Sequence, residues 1–358
     1  MTQTAKVGVL GAGNVTPLYL PNLLQAPGLE VNAIADVDRG AARRRAEEYG
    51  VARVLEPDEL ISDLGIELVL NFTPIPLHVE TTRRALAAGK HVYSEKPLAT
   101  TTADALSLVQ EATRRQLRLG CAPDTLLGSG LQAARSALEA GRIGRPLGAG
   151  AFMFRSLPGR SDYATGPFAL FDMAPYYVTT LVTLLGPARR VVAMAQTLTG
   201  AEAEAQPEEA LVSFTAAIEF DHRVMADLLL AWGTNHRHEI PSVHVFGTEG
   251  DLQVPNPNGF GEAASIRAYG EPASHLVEGS VQPDAWPRQQ RGLGVAEMVE
   301  AIREGRPPRA SGEMAAHVVD VIAGVVTSAE SGQPVTLTTS CSLPSPLAAG
   351  ARARLLGR

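Results

Sequence analysis

Four short polar segments of this 358-residue chain each follow directly after an apolar run. The segments are Gly11–Asn14, Asp36, Asn71–Pro74 and Glu95–Pro97. If the apolar runs are strands of a parallel sheet, the segments lie together at its carboxyl edge, where open α/β sheets bind their ligands. The residue types are those that bind a dinucleotide and exchange a proton. The sequence therefore predicts a functional site at this edge.

Gly11 and Gly13 stand where a dinucleotide-binding turn would have its glycines, between an apolar run and a helical segment. Gly11 would allow the tight turn, and Gly13 would let the backbone approach a pyrophosphate at the helix N-terminus. Thr16 occupies the place of the third glycine of this fingerprint. That position serves helix–strand packing, so the change alters a contact distance rather than the chemistry.

Asp36 ends the second apolar run, about 20 residues further along, where a carboxylate accepts hydrogen bonds from the adenosine ribose. The same carboxylate would repel a 2′-phosphate, so the sequence predicts NAD as the cofactor in preference to NADP. The alternative is that Asp36 only caps the following helix.

Lysine is rare in the chain, because the 31 basic residues include only Lys6, Lys90 and Lys96. A lysine amine can release its proton in a protein, which an arginine cannot do. Lys96 follows a predicted strand in an arginine-rich background, so we interpret it as a functional amine. The alternative is a surface ion pair between Lys96 and Glu95.

The first 122 residues alternate between strand and helix patterns. Strands are predicted at 6–10, 31–35, 66–70, 91–93 and 117–122, and helices at 41–49, 77–88 and 102–116, with a further helix capped by Thr16. Such alternation predicts an α/β domain with a doubly wound parallel sheet and helices on both faces.

After residue 122 the pattern changes to consecutive strands, at 190–195, 210–220, 224–232, 242–246 and 251–254. Helices are predicted at 125–140, 170–185, 293–303 and 311–330, the last capped by Ser311. Consecutive strands indicate an α+β domain with a mainly antiparallel sheet. We therefore predict a cofactor-binding domain at 1–122 and a substrate-binding and oligomerisation domain at 123–358.

Six stretches of the chain resemble the Gfo/Idh/MocA oxidoreductases, a family named after glucose–fructose oxidoreductase and inositol dehydrogenase. They are GVLGAGN (8–14), AD (35–36), NFTPIPLH (71–78), AAGKHVYSEKPLA (87–99), FDMAPYY (171–177) and FGTEGDLQVPNP (246–257). The resemblance implies an N-terminal Rossmann domain and a C-terminal α+β domain with an open, mainly antiparallel sheet. It also implies NAD(P)-dependent oxidation of a sugar or polyol hydroxyl.

The resemblance assigns Lys96 to the nicotinamide and the substrate hydroxyl, with Pro97 shaping its turn. Asp172 matches the aspartate of the second-domain motif D-x-G-x-H, which here reads Asp172-Met-Ala-Pro-Tyr176. Tyr176 thus replaces the usual acid/base histidine, as in a smaller group of members that combine FDMxPYY with GCAPDT, present here at 120–125. We predict Lys96, Asp172 and Tyr176 as catalytic residues, with either Tyr176 or Lys96 itself carrying the substrate proton.

The residues predicted to bind the cofactor lie in or near the four polar segments. They are Gly11, Gly13, Asn14, Asp36, Asn71, Thr73, Pro74, His78, Glu95, Lys96 and Pro97. For His78, the alternative is a surface histidine at a helix start. The residues predicted to bind the substrate are Lys96, Arg155, Asp172, Tyr176 and His236.

We predict no metal site. His236, His238 and Glu239 form too common a pattern to indicate a metal, and no second cluster supports them. The only cysteines, Cys121 and Cys341, are too few for a disulfide scaffold or a structural zinc site.

The formal net charge of −7 argues against nucleic-acid and anionic-membrane partners. No transmembrane helix or secretory signal is expected, and the cysteine content fits a cytoplasmic protein. The long apolar strands within 210–232 need cover on both faces, which predicts a homodimer or homotetramer formed through the C-terminal sheet.

These observations predict an NAD-dependent dehydrogenase that oxidises a secondary hydroxyl of a carbohydrate. One alternative is an enzyme that retains NAD and uses transient oxidation for sugar hydrolysis or epimerisation. Another is an NAD-binding sensor with reduced catalysis, suggested by the tyrosine at position 176.

Overall fold

The computed structural model describes residues 4–155, 167–197, 211–232, 242–276, 289–348 and 350–358. The chain divides into two units, and each unit is assembled from more than one segment. The first unit comprises 1–127, 289–316 and 347–358, and the second comprises 128–288 and 317–346. The division of roles between 1–122 and 123–358 stays a prediction.

Six parallel strands form the sheet of the first unit, in the order β3-β2-β1-β4-β5-β6. The strands are β1 (Ala5–Leu10), β2 (Leu29–Ala35), β3 (Arg53–Leu55), β4 (Leu68–Asn71), β5 (His91–Ser94) and β6 (Leu119–Cys121). The predicted parallel sheet is confirmed. The sequence did not indicate β3, because this strand has only three residues and is partly exposed, so it lacks an apolar run.

Five α-helices lie between these strands, and the sequence predicted all of them except the short one at 57–62. They are α1 (Thr16–Leu23), α2 (Arg39–Tyr49), α3 (Pro57–Ser62), α4 (His78–Ala87) and α5 (Thr102–Arg114). The prediction that Thr16 caps α1 was wrong. Val15 holds the cap position, and the Thr16 hydroxyl donates to the carbonyl of Gly11 at 2.7 Å.

The second unit contains a nine-stranded sheet in the order β14-β13-β12-β11-β7-β10-β9-β8-β15. Its strands are β7 (Pro146–Arg155), β8 (Ala188–Thr197), β9 (Leu211–Phe220), β10 (Met225–Trp232), β11 (Val243–Gly247), β12 (Gly250–Val254), β13 (Ala264–Ala268), β14 (Ser274–Leu276) and β15 (Val335–Thr336). Among the described strands only β7 and β10 pair in parallel, so the predicted mainly antiparallel sheet is confirmed.

Helices cover one face of this sheet. They include α6 (Ser129–Glu139), which packs on β12 and β13, and α7 (Pro167–Leu185), which packs on β9 and β10. The predicted helix at 125–140 is in fact broken at Gly128, between a short 3₁₀ turn and α6. Gly130 lies so close to residue 262 that a Cβ would stand 2.1 Å from the Glu262 carbonyl oxygen. Further along, α8 (Leu293–Arg303) and α10 (Ala351–Leu355) belong to the first unit, and α9 (Gly312–Ser331) mostly to the second.

Among the described helices, only α9 is long and apolar enough to cross a membrane. Two thirds of its apolar window is buried inside the protein, as in the core helix of a globular domain. The carboxylate of Asp320 on this helix accepts hydrogen bonds from the backbone N–H groups of Thr338 and Thr339, at 2.8 and 2.9 Å. A helix tied to the following segment in this way serves the packing of the fold.

His317 on α9 is a fully buried imidazole inside the second unit. Its Nε2 accepts a hydrogen bond from the N–H of Ala188 at 2.9 Å, so Nδ1 carries the proton and donates to Thr339 Oγ1 at 2.8 Å. Burial lowers the pKa of His317 to about 4, although the carboxylate of Asp320 opposes this shift. The folded protein therefore requires the neutral ring.

This arrangement predicts acid-sensitive stability. An unfolded histidine binds a proton near pH 6.5, whereas His317 in the folded protein resists protonation until about pH 4. Between these values the free energy of unfolding should fall as the pH falls, by about 3 kcal/mol in all. Denaturant titrations of the protein and of His317→Gln at several pH values would measure this. Parallel pH profiles for the two proteins would contradict the assignment.

Candidate functional site

The turn after β1 has the two features that a dinucleotide needs. Gly11 has a φ of +115°, and a Cβ there would lie 2.4 Å from the carbonyl oxygen of Phe72. Only glycine permits this turn and this approach. At Gly13 a Cβ would meet nothing within 4 Å, and Gly13 and Asn14 are exposed. The bare backbone at Gly13 therefore faces open space that a phosphate group can approach.

The N-terminus of α1 follows this turn directly and has no side-chain cap. Uncapped N–H groups and the helix dipole favour a negative charge at such an end. Pro17 in the first turn lacks an N–H, as is common at this helix position. The donor set therefore fits the pyrophosphate of a dinucleotide.

Asp36 follows β2 and contacts the same turn. Its Oδ2 accepts a hydrogen bond from the N–H of Ala12 at 2.7 Å, and its Oδ1 accepts from the N–H of Asp38 at 2.8 Å. The helix cap is Asp38, whose side chain accepts from the N–H of Ala41 at 3.1 Å. The alternative interpretation of Asp36 as a mere cap of α2 is therefore wrong. Its carboxylate is half-exposed beside the glycine turn, where it can still accept from a ribose hydroxyl.

Asn71, at the end of β4, is completely buried. Its Nδ2 donates to the His78 carbonyl and to Thr82 Oγ1, both at 3.0 Å, and its Oδ1 accepts from the Thr73 hydroxyl at 2.7 Å. These bonds use the hydrogen-bonding capacity of the amide within the protein. Asn71 therefore holds in place the segment that contains Thr73 and the exposed Pro74.

His78 is the first residue of α4 and is buried, so the alternative of a surface histidine is wrong. Its Nδ1 lies 2.6 Å from the Pro97 carbonyl oxygen, and its Nε2 lies 2.8 Å from the Thr73 carbonyl oxygen. Burial lowers the pKa of His78, while the two carbonyl oxygens act in the opposite direction. The ring bridges the segments that follow β4 and β5.

Glu95 and Lys96 follow β5. Glu95 is buried, and its Oε2 accepts a hydrogen bond from the backbone N–H of Lys96 at 3.0 Å. Lys96 itself is half-buried, whereas Lys6 is exposed. Lys90 is buried, with its ammonium donating to the carbonyls of Asp63 and Ile66 at 2.6 and 2.8 Å. Among the three lysines, Lys96 is the one at the carboxyl edge of the sheet.

Direct contacts join the four predicted segments of the first unit. Asp36 binds the glycine turn, Gly11 abuts Phe72, and the N–H of Glu95 donates to the Asn71 carbonyl at 2.9 Å. His78 bridges to Pro97. The sequence-based grouping of these segments at one edge is therefore what the structure shows.

Asp124, a buried carboxylate just after β6, was not among the residues predicted from the sequence. It accepts hydrogen bonds from the N–H groups of Gly292 and Gly294 at 2.9 and 3.0 Å. Gly292 is the N-cap residue of α8 and supplies no side-chain cap of its own. Burial raises the pKa of Asp124 to about 6. The rule that found the other segments, a polar residue after an apolar strand, applies equally to Asp124 in GCAPDT.

Asp172 and Tyr176 lie four residues apart on α7 of the second unit, so they share one side of that helix. Asp172 is half-buried, and Tyr176 and Tyr177 are both buried. Arg155 ends β7, and its side chain is outside the described part of the structure, as is the whole of His236. Across the described ranges, no group of three or more histidine, cysteine, aspartate or glutamate residues has a metal-binding arrangement.

Comparison with known proteins agrees with this architecture. Residues 5–122 match the oxidoreductase family with an NAD-binding Rossmann fold, and residues 131–253 match the GFO/IDH/MocA C-terminal domain. The chain is 28% identical to 1,5-anhydro-D-fructose reductase of Ensifer adhaerens, over 93% of this chain and 98% of that protein.

Solved structures share the fold. An NAD-binding oxidoreductase from Klebsiella pneumoniae superimposes with a TM-score of 0.80 at 22% identity, over 95% of this chain and all of that one. Levoglucosan dehydrogenase in complex with NADH and L-sorbose gives a TM-score of 0.80 at 19% identity, over 94% of this chain and all of that one. The two matched domains and the dinucleotide-binding turn lead to one conclusion: the chain belongs to the Gfo/Idh/MocA family of NAD-binding oxidoreductases.

Proposed function

We propose that this oxidoreductase is an NAD-dependent dehydrogenase that oxidises a secondary hydroxyl of a sugar, polyol or related carbohydrate. The observation that carries the proposal is that Lys96 follows β5 at the same sheet edge as the open backbone of Gly13 and the carboxylate of Asp36. Alcohol oxidation needs this pair of features, a cofactor cradle and a group that manages the proton. The names of 1,5-anhydro-D-fructose reductase and levoglucosan dehydrogenase support a sugar-like substrate.

Each part of the first unit has a role in this reaction. Bound NAD would supply the hydride acceptor for the carbinol carbon. Gly13 and the N-terminus of α1 would hold its pyrophosphate, and Asp36 would accept a hydrogen bond from its adenosine ribose. Asn71 and His78 act indirectly, because they hold the segments of Thr73, Pro74 and Pro97 in place. Lys96 binds the substrate hydroxyl, and both assignments of the proton carrier given below need its amine.

The second unit supplies Asp172 and Tyr176, which we assign to the same reaction from their motif positions. Two assignments of the proton carrier remain in competition: Tyr176, or Lys96 with Tyr176 as a binding residue. Arg155 and His236 are proposed as further substrate contacts. We also propose that the chain belongs to the FDMxPYY subgroup, in which a tyrosine stands at the position of the usual histidine. We place the reaction in the cytoplasm.

The overall proposal is tested with a panel of sugars, polyols and sugar acids in the presence of NAD. A substrate that binds the folded protein raises its melting temperature, and turnover releases NADH. Stabilisation by a sugar without NADH release would favour an enzyme that retains its cofactor. NAD binding with no turnover of any compound would favour a sensor.

Substitution of Lys96 should abolish turnover and spare NAD binding. Lys96→Ala removes the amine, and Lys96→Arg keeps a positive charge without the exchangeable proton or the same geometry. Both variants should lose about 100-fold or more in kcat, with a dissociation constant for NAD close to that of the parent protein. Retained turnover in Lys96→Arg would show that the Lys96 amine takes no part in the proton transfer.

Tyr176→Phe then separates the two proton carriers, because it removes one hydroxyl and little volume. If Tyr176 carries the proton, kcat should fall by about 100-fold. A near-normal kcat with a raised KM would instead leave Tyr176 as a binding residue and assign the proton to Lys96.

Asp36 should set the preference for NAD over NADP. We expect NAD to bind at least about tenfold more tightly, a difference of ~1.4 kcal/mol, and Asp36→Ala to reduce this ratio. Asp38→Ala is the matched control, because Asp38 caps α2 next to Asp36; it should cost about 1 kcal/mol of stability and leave the ratio unchanged. Fluorescence titrations with both cofactors measure this. Equal or tighter NADP binding by the parent protein would refute the assignment.

We also propose a homodimer or homotetramer formed through the open face of the second-unit sheet. On β8 and β10, alternate residues are buried under the helices, while Val192, Met194 and Met225 are 43%, 71% and 45% exposed on the isolated chain. The same face also carries the Arg190–Glu219 ion pair and the exposed Asp227, so it is mixed in polarity. Exposed apolar side chains with a polar surround favour a protein partner. A second copy fits best, since identical faces pair by twofold symmetry.

Light scattering at micromolar concentration should show the oligomer, and Met194→Glu should shift it towards the monomer. Leu64→Glu is the control, because Leu64 is 96% exposed but lies in the first unit. A monomeric parent protein, or equal effects of the two variants, would count against the proposed interface.

A further inference from the structure

Tyr19 is a completely buried residue of α1, the helix that follows the glycine turn. Its hydroxyl donates a hydrogen bond to Oε1 of Glu95 over 2.5 Å. Its ring packs against the ring of Phe72, with centroids 4.5 Å apart and planes inclined at 41°. Tyr19 thus contacts the residues that follow β4 and β5, from the helix that follows β1.

Glu95 distributes its two carboxylate oxygens between two partners. Oε1 accepts from Tyr19, and Oε2 accepts from the backbone N–H of Lys96 at 3.0 Å. Glu95 is only 6% exposed, so water cannot readily replace a lost donor. A buried carboxylate that loses a donor turns towards other donors or admits water. Either response would disturb the amide of Lys96.

We propose that Tyr19 is a positioning residue for the dehydrogenase reaction, because it orients Glu95 and Glu95 in turn holds the backbone of Lys96. This inference rests on the function proposed above. It gives α1 a second role, since the helix whose N-terminus would receive the cofactor phosphate also fixes the segment that carries the catalytic amine.

The chemistry of the phenol indicates that Tyr19 is the donor in this hydrogen bond and Glu95 the acceptor. Burial and the neighbouring Glu95 raise the pKa of Tyr19 well above its usual value, so the hydroxyl remains protonated and acts as the donor. The short distance to Oε1 is typical of a hydroxyl that donates to a carboxylate. Tyr19 does not itself exchange a proton in the reaction.

Tyr93 supplies a matched control within the same unit. It is also completely buried, but its hydroxyl has no hydrogen-bond partner among the described residues. Tyr93→Phe and Tyr19→Phe therefore remove the same atom from two fully buried rings, and only Tyr19→Phe removes a donor from Glu95. A general effect of losing a buried hydroxyl would appear in both variants.

The rarity of lysine provides a readout that needs no substrate. Lys6, Lys90 and Lys96 are the only lysines, so reductive methylation with isotopically labelled methyl groups gives few NMR signals. Comparison with Lys96→Arg, which lacks one of them, assigns the Lys96 signal. This signal, together with kcat, KM and the dissociation constant for NAD, is measured for the parent protein, Tyr19→Phe and Tyr93→Phe.

We expect Tyr19→Phe to displace the Lys96 signal and leave those of Lys6 and Lys90 in place. Its kcat should fall by about tenfold, the loss expected when a charged group loses one hydrogen bond, with KM and NAD binding changed less than about twofold. Tyr93→Phe should resemble the parent protein in all of these measurements. The kcat of the double variant Glu95→Gln/Tyr19→Phe should be little lower than that of Glu95→Gln alone. Both changes interrupt the same chain of hydrogen bonds, from Tyr19 through Glu95 to the backbone of Lys96.

An unmoved Lys96 signal in Tyr19→Phe overturns the inference, as does an equal displacement in Tyr93→Phe. Additive losses of kcat in the double variant also overturn it. If Tyr19→Phe does not fold, Glu95→Gln alone must displace the Lys96 signal, and an unmoved signal again refutes the proposal. Failure of the proposed dehydrogenase function would appear separately, as an absence of NAD binding or turnover in the parent protein while the NMR comparison still reports on the contact.

Discussion

The carboxyl edge of the first sheet depends on how closely the ends of β1 and β4 approach each other. At Gly11 there is no room for a Cβ beside the carbonyl of Phe72. Because the turn sits there, the N–H of Ala12 meets Asp36 and the hydroxyl of Thr16 reaches back to the Gly11 carbonyl. A side chain at position 11 would lift the turn from β4, and the start of α1 would move with it. The cofactor cradle is therefore a consequence of one backbone contact.

Buried polar groups hold the exposed ones in this site. Asn71, His78 and Glu95 are each less than a tenth exposed, and the hydrogen bonds described for them end on other parts of the first unit. An unsatisfied polar group in the interior is costly, so each of these side chains has one strongly preferred arrangement. These buried contacts hold the backbone of the neighbouring residues that are exposed to solvent, such as Gly13 and Pro74. The edge is thus preorganised before any ligand arrives.

The sequence predicts most of the architecture, because apolar runs of buried strands and glycines after helices are local signals. Gly50, for example, ends α2 in the left-handed conformation that its position indicates. Contacts between distant segments leave no local signal. Tyr19 stands between two leucines and has the appearance of an ordinary core residue, and nothing near it in the sequence indicates Glu95 as its partner. Thr16 had the residue type of a cap, but a competing acceptor, the Gly11 carbonyl, takes its hydroxyl.

The first unit is completed by segments that are synthesised after most of the second unit. Asn22 on α1 donates to the carbonyl of Arg291, Asp124 accepts from Gly292 and Gly294, and Arg358 donates to Asn22. While the ribosome is still building the second unit, the early strands can pair, but Asp124 remains a carboxylate without these donors. Most of the second unit is therefore inserted between segments of the chain that belong to the first unit. Until residues 289–316 emerge from the ribosome, the nascent chain exposes an unfinished cofactor domain, and partly folded states of this kind are prone to aggregation.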